Sequence, residues 1–131
     1  MEGEKRKILI VDDDSFLLDM YALKFSQNNF EVHTASSGAQ VLEKLKAGLC
    51  PDVMLMDIIM PEMDGFEALS QINAKKLCPD CTKIVLSNKS EQKDIDESVR
   101  LGAAGYIVKA NSTPAEVIDQ VVKILEKRVS K

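Results

Sequence analysis

Four short and almost uninterrupted apolar runs constrain the fold of this chain most strongly. They lie at residues 8–11, 53–56, 84–86 and 106–108, and a more polar run of strand-forming residues lies at 30–35. Strands that are apolar on both sides suit a parallel sheet covered by helices on both faces. Because stretches with helical spacing separate the runs, the sequence predicts five alternating β–α units with right-handed crossovers, and hence a three-layer α/β sandwich.

The predicted helix starts are marked by capping residues. Asp14 is expected to cap the first helix, and Ser90 marks a weaker start for the fourth. Three other starts have the spacing of a capping box, in which two side chains three residues apart satisfy backbone N–H groups. These pairs are Ser37 with Gln40, Asp64 with Glu67, and Thr113 with Glu116. The apolar residues predicted to form the inward face of the first helix are Phe16, Leu17, Met20 and Leu23.

Length and charge exclude several classes of protein. A chain of 131 residues has the size of one domain, so we interpret residues 1–131 as a single domain. Lys and Arg number 17 against 21 Asp and Glu, and the net charge of −4 argues against general binding of nucleic acid or anionic membranes. The charged start lacks the apolar stretch of a signal peptide, and no run is long enough to span a membrane, so the sequence predicts a cytoplasmic protein.

Three cysteines, Cys50, Cys78 and Cys81, are too few and too odd in number for a disulfide framework. Cys78 and Cys81 form a C-x-x-C pair, which in other settings serves redox or zinc chemistry. This pair lies in a predicted loop ahead of a strand, and zinc ligands beyond Cys50 and His33 are not evident. We therefore expect reduced loop thiols, and we expect His33 to be a half-exposed strand residue.

Polar side chains follow four of the five predicted strands. Asp12 and Asp13 follow the first strand, Asp57 the third, Ser87 the fourth and Lys109 the fifth. In open parallel sheets, ligands bind outside the carboxyl ends of the strands. Three carboxylates, a hydroxyl and an ammonium at one edge form a set that binds a divalent cation and a phosphoryl group.

The residue types indicate how such a site would work. Mg²⁺ takes oxygen ligands and keeps several waters, so two or three carboxylates and a backbone carbonyl suffice to bind it. A carboxylate can attack phosphorus and form an acyl phosphate. Asp57 stands on the middle strand and is the predicted nucleophile. Asp12 and Asp13 are then the metal ligands, and Ser87 and Lys109 bind the phosphoryl oxygens.

With these residues in place, the chain resembles a response-regulator receiver domain of two-component signalling. The matching segments are ILIVDDD, DVMLMDIIMPEMDGFE, KIVLSN and GAAGYIVKA, in the order and spacing of the family. The resemblance implies a flavodoxin-like (βα)₅ sandwich with strand order 2-1-3-4-5. It also implies that Asp57 accepts phosphoryl from a histidine kinase or phosphotransfer protein, and that the fourth helix, fifth strand and fifth helix form the output face.

The resemblance further implies ligand and switch residues. The implied Mg²⁺ ligands are Asp13, Asp57, the backbone carbonyl of Ile59, and Asp12 through water. Ser87 matches the Ser/Thr of the family switch, and Tyr106 matches its aromatic partner. Catalysis would then be limited to self-phosphorylation and autodephosphorylation, so we predict a signalling phosphoprotein rather than an enzyme.

Two positions lead to finer expectations. Most receivers have a cis-proline after the lysine, whereas this chain has Ala110. We expect the Lys109–Ala110 peptide to be cis nonetheless, with Lys109 turned back toward the carboxylates, although a non-proline cis bond costs about 2.5–4 kcal/mol.

Ile59 and Lys89 occupy positions that in this family flank the path of the attacking water. Because Ile59 cannot orient that water, we predict slow autodephosphorylation.

Other functions stay open at this point. Haloacid-dehalogenase-like phosphatases use a D-x-D pair after a first strand, in which case Asp12 rather than Asp57 would be phosphorylated. They need further acids after a later strand, and here SNK and KAN follow instead. An interaction module with vestigial phosphorylation is the other alternative. A calcium EF-hand does not fit, because apolar residues follow the acidic triplet. No output domain follows the fifth helix, so we expect the signal to leave by contact with a partner protein that the sequence does not identify.

Overall fold

Five parallel strands form one sheet in the computed structural model of this chain, which describes residues 5–129. The strands are β1 (Arg6–Val11), β2 (Phe30–Ala35), β3 (Val53–Met56), β4 (Thr82–Ser87) and β5 (Gly105–Val108). Their order across the sheet is β2-β1-β3-β4-β5, as predicted. This arrangement confirms the flavodoxin-like fold and places the carboxyl ends of β1, β3, β4 and β5 along one edge.

Helices cover both faces of the sheet. They are α1 (Ser15–Gln27), α2 (Gly38–Lys46), α3 (Gly65–Ala74), α4 (Gln92–Arg100) and α5 (Pro114–Val129), and a short 3₁₀ turn spans Lys109–Asn111. None of the helices within residues 5–129 combines the length and the apolar character that a membrane crossing requires.

The core consists of two apolar layers separated by the sheet. Along β3, Val53 and Leu55 belong to the layer formed with α1 and α5. Met54 and Met56 alternate with them and belong to the layer formed with α2 and α3. All four side chains are at most 1% exposed, which explains why the strand sequences are apolar without alternation.

The predicted inward face of α1 is wrong for two of its four residues, whereas Leu17 and Met20 are partly buried against the core. Phe16 and Leu23 are 75% and 58% exposed, whereas Leu18, Tyr21 and Phe25 are buried. This helix carries apolar residues on most of its circumference, so spacing alone could not select the face that packs. The buried face is fixed by its partners, as in the edge-to-face contact of Phe25 with Phe30, whose ring centroids lie 5.1 Å apart.

The helix caps agree largely with the sequence. Asp14 accepts hydrogen bonds from the first turn of α1, and Asp64 accepts from the Glu67 N–H. Thr113 and Glu116 form a complete reciprocal capping box. The exception is α4, which follows Glu91 rather than Ser90 and has no side-chain cap.

The expectation of reduced loop thiols is wrong for two of the three cysteines, because Cys50 and Cys78 form a disulfide. They lie in the loops that precede β3 and β4, which are neighbouring strands of the sheet. That pairing brings their Cα atoms to 5.4 Å, within the range that a disulfide requires, despite 28 residues of separation. Cys81 is buried directly before β4. His33 is half-exposed on β2, as predicted.

Candidate functional site

Three carboxylates and one ammonium meet at the carboxyl edge of the sheet. Lys109 Nζ donates to Asp12 Oδ2 at 2.6 Å and to Asp57 Oδ2 at 2.9 Å. Asp12, Asp13 and Asp57, here called the acidic cluster, each offer a ligand atom within 4.8 Å of the others. The structure therefore brings together four of the five strand-end residues that the sequence singled out, and the fifth, Ser87, accepts a hydrogen bond from the loop that follows β4.

Backbone hydrogen bonds fix the acidic cluster in position. The Asp57 N–H donates to the carbonyl of Val11 at 3.0 Å, which ties the end of β3 to the end of β1. The Asp12 carboxylate accepts from the Asp14 N–H at 2.9 Å, and the Asp57 carboxylate accepts from the Ile59 N–H at 3.1 Å. Each of these two buried carboxylates is thus oriented by the backbone N–H of the residue two positions further along the chain.

Burial shifts the pKa values of Asp12 and Lys109, and the carboxylates of the cluster outnumber its cation. Burial raises the pKa of Asp12 above its ordinary value, and the hydrogen bond from Lys109 opposes this shift without cancelling it. For Lys109, burial alone would lower the pKa, but hydrogen bonds to Asp12 and Asp57 outweigh it and raise the pKa. Three carboxylates against one ammonium leave a formal charge of −2, since −3 + 1 = −2. A divalent cation would balance that charge, and the all-oxygen donor set suits Mg²⁺.

The expected cis peptide after Lys109 is wrong, because no cis peptide occurs within residues 5–129. The chain instead makes a 3₁₀ turn over Lys109–Asn111. From this trans backbone, the Lys109 side chain still reaches both carboxylates, and it is only 9% exposed. The contacts of the ammonium therefore do not require the costly isomer.

Ser87 and Tyr106 lie beside the loop that follows β4. Ser87 is fully buried, and its hydroxyl accepts from the Lys89 N–H at 3.3 Å. The Tyr106 hydroxyl donates to the Lys89 carbonyl at 2.8 Å. Both side chains thus contact the same short segment, which connects β4 to α4.

Asp94 is a residue that sequence reasoning missed. It lies in the first turn of α4 and is 5% exposed. Its Oδ1 lies 3.8 Å from Lys89 Nζ, and its Oδ2 is buried without a hydrogen-bond partner among the described residues. An Asp in a first helical turn is normally solvated, so only the tertiary packing of α4 could reveal it. Burial, and then the charge of Asp94, raises the pKa of Tyr106.

The fold and the acidic cluster define a class of protein, and comparison with known families identifies it. The sequence matches the response regulator receiver domain over residues 8–122. The chain therefore belongs to the response-regulator receiver domain family. Receiver domains are signalling proteins, so the family indicates phosphorylation-dependent signalling rather than turnover of a metabolite.

The relatives include proteins of about the same length as this chain and one that is much longer. The chain is 35% identical to chemotaxis protein CheY of Thermotoga maritima over 120 residues, which are 91% of this chain and 97% of that protein. It is 38% identical to chemotaxis protein CheY of Listeria monocytogenes over 122 residues, which are 92% and 96% of the two chains. It is also 38% identical to regulatory protein AtoC of Escherichia coli over 103 residues, but these are 79% of this chain and only 22% of that protein.

A solved structure has the same fold over its full length. The CheY-like receiver domain protein from Methanospirillum hungatei superposes with a TM-score of 0.86 at 28% identity, covering 97% of this chain and 98% of that chain. The resemblance inferred from the sequence segments is thus confirmed for family and fold.

Proposed function

We propose that this chain, as one receiver domain over residues 1–131, is a phosphorylation-dependent switch whose phosphoacceptor is Asp57. The observation that carries the proposal is the pair of hydrogen bonds from Lys109 to Asp12 and Asp57 at the carboxyl edge of the sheet. They place a cation against the predicted nucleophile in a site with excess negative charge. The donor is a phosphohistidine of a histidine kinase or phosphotransfer protein, as the family implies.

The chemistry assigns a role to each side chain. A carboxylate oxygen of Asp57 attacks phosphorus as the P–N bond of the donor breaks, and an acyl phosphate forms. Lys109 exchanges part of its contact with Asp57 for a phosphoryl oxygen, and Ser87 donates its hydroxyl to another. Asp13, Asp57, the Ile59 carbonyl and, through water, Asp12 would hold Mg²⁺, which would neutralise charge on the transferring group.

The output is a population shift on the face formed by α4, β5 and α5. Movement of Ser87 toward the phosphoryl group disturbs the segment at Lys89 that also accepts the hydrogen bond from Tyr106. Tyr106 and the start of α4 then favour a second arrangement, which a downstream protein recognises. We place this signalling in the cytoplasm, with no direct DNA binding by this chain.

Two other functions are less well supported. A phosphatase of the haloacid-dehalogenase type needs further acids after a later strand, whereas β4 and β5 lead into SNK and KAN, and the group of three carboxylates that could hold a metal within residues 5–129 has no member from either strand end. An interaction module with vestigial phosphorylation would have no need for the buried contacts of Lys109.

Dependence on Mg²⁺ tests the proposed site. Purified protein is incubated with acetyl phosphate in Mg²⁺ or in EDTA, and phosphoryl incorporation is followed by intact mass. We expect incorporation only with Mg²⁺, because without a bound cation the carboxylates repel the anionic donor. We also expect a sharp loss of incorporation in Asp13→Ala, because this change removes a proposed metal ligand. Equal incorporation in EDTA would contradict the metal assignment.

A further inference from the structure

A disulfide, a third cysteine and a pocket with two lysines lie together at the amino ends of β3 and β4. This edge is opposite the acidic cluster, which lies at the carboxyl ends of the strands. Cys50 is exposed, Cys78 is half-buried, and Cys81 is 5% exposed with its Sγ directed at the Thr82 carbonyl at 3.6 Å. Cys50 is therefore the most exposed of the three cysteines.

The pocket is lined by residues that adjoin Cys78 in the chain. It has a volume of about 230 Å³, and its lining includes Leu77 and Pro79, the two chain neighbours of Cys78. Lys76 and Lys83 line it as well, and Lys83 is only 8% exposed. Neither lysine forms an ion pair within residues 5–129. The pocket thus offers two cationic groups that have no ion-pair partner in the described part of the chain, close in sequence to a cysteine that can be oxidised.

We propose that Cys50 and Cys78 form a redox-modification site that exchanges with anionic low-molecular-weight disulfides and thiols, whose carboxylates bind at Lys76 and Lys83. Thiolates react with disulfides by direct exchange, and nearby cations favour both the thiolate and an anionic reactant. The site is independent of the proposed phosphorylation and needs no group of the acidic cluster.

The exchange balances in two steps. In the dithiol form, the Cys50 thiolate attacks one sulfur of the small disulfide, whose S–S bond breaks and releases one thiolate. The Cys78 thiolate then attacks the Cys50 sulfur and releases the second thiolate. Two protein thiols are oxidised, one small disulfide is reduced to two thiols, and the two cysteine protons pass to the released thiolates. A small thiol in excess reverses both steps.

The pairing is tested on the full chain by mass spectrometry after reduction, removal of reductant and addition of glutathione disulfide under native conditions. Trypsin separates Cys50 from the other two cysteines, because cleavage gives peptides 47–75 and 77–83. We expect these peptides to be joined. Cys81→Ser should retain the disulfide-linked pair of peptides, and Cys78→Ser should lose it. The proposal would be overturned by thiols that stay reduced, by a disulfide within peptide 77–83, or by loss of the disulfide-linked peptides in Cys81→Ser.

The role of the lysines is tested by comparing two small disulfides of opposite charge. Oxidation of the dithiol protein is timed with anionic glutathione disulfide and with cationic cystamine. In Lys76→Gln, which changes an exposed side chain, and in Lys83→Met, we expect the rate with glutathione disulfide to fall by roughly threefold or more relative to the rate with cystamine, because a smaller thiolate fraction slows both reagents alike. An equal change for both reagents, or none for either, would overturn the pocket as the recognition site.

A stability readout confirms that the bond forms in the folded protein. Closing a loop of 28 residues restricts the unfolded chain, so the oxidised protein should melt about 5–15 °C above the reduced protein. Cys50→Ser should melt at the same temperature with and without reductant. An equal melting temperature of oxidised and reduced wild-type protein would contradict a bond that clamps the two loops.

Discussion

Ile59 gives the acidic site an apolar rim. Its N–H donates to the Asp57 carboxylate, so its backbone is fixed, while its side chain is 52% exposed. It lines a pocket together with Phe66 and Lys89, and we expect it to flank the path by which water would reach the proposed acyl phosphate. The side chain has no hydrogen-bonding group with which to orient that water, which supports slow autodephosphorylation.

Replacing this side chain should change the lifetime of the phosphorylated form. We expect Ile59→Asn to accelerate loss of phosphate by roughly threefold or more, because the amide can position water for attack. The measurement is the decay of phosphoprotein after the donor is removed, with Ile59→Val as an apolar control that should keep the slow rate. A rate in Ile59→Asn that is unchanged or slower would show that this side chain does not control access.

Tyr106 offers a direct probe of the buried carboxylate in α4. Burial and the charge of Asp94 raise the pKa of Tyr106 above its ordinary value of 10.0. The folded state therefore holds this proton more tightly than the unfolded state, and its contribution to stability is lost as the pH rises past 10. Tyr21 also has a pKa raised by burial, so the two phenols must be separated.

A Tyr21→Phe background leaves one tyrosine, whose ionisation can be followed by ultraviolet absorbance. In that background we expect Asp94→Asn to lower the pKa of Tyr106 toward 10.0, since it removes a negative charge without removing the side chain. Asp96→Asn is the matched control on the exposed side of α4 and should have a smaller effect. An unchanged pKa in Asp94→Asn would show that the two groups are not coupled.

At the scale of elements, the start of α3 holds the segment that follows β3. The Gly65 N–H donates to the Ile58 carbonyl at 3.0 Å. A Cβ at Gly65 would lie 2.6 Å from the Asp57 carbonyl oxygen and 2.7 Å from the Ile58 Cα. Both are backbone atoms that cannot turn aside, so α3 can approach the end of β3, which carries the proposed phosphoacceptor, this closely only with glycine at this position.

Gly65→Ala should therefore disturb the site as well as the fold. We expect it to lower the free energy of unfolding by about 1–3 kcal/mol and to slow phosphorylation by acetyl phosphate, because the segment after Asp57 must move outward. Gly102→Ala is the control, since a Cβ there meets no atom within 4 Å but the backbone has a φ of +95°. It should be destabilising without slowing phosphorylation. Normal phosphorylation in Gly65→Ala would contradict the coupling.

At the scale of the whole molecule, the sequence predicted the features that follow from burial and strand order. Asp12, Asp57 and Lys109 were predictable because each follows a run too apolar to lie anywhere but inside the sheet. The disulfide between Cys50 and Cys78 was not, because it depends on the approach of two irregular loops. The inward face of α1 and the burial of Asp94 also depend on which neighbour packs on a helix, and periodicity does not specify that.

The chemical nature and the position of one covalent adduct test the central claim most directly. Protein treated with acetyl phosphate and Mg²⁺ is digested, and the phosphorylated peptide is identified by mass with and without hydroxylamine, which cleaves acyl phosphates. We predict a single hydroxylamine-sensitive phosphoryl group on the peptide that contains Asp57, and none in Asp57→Asn. A phosphoryl group on another peptide, including the one that contains Asp12, or equal labelling of Asp57→Asn, would contradict the account.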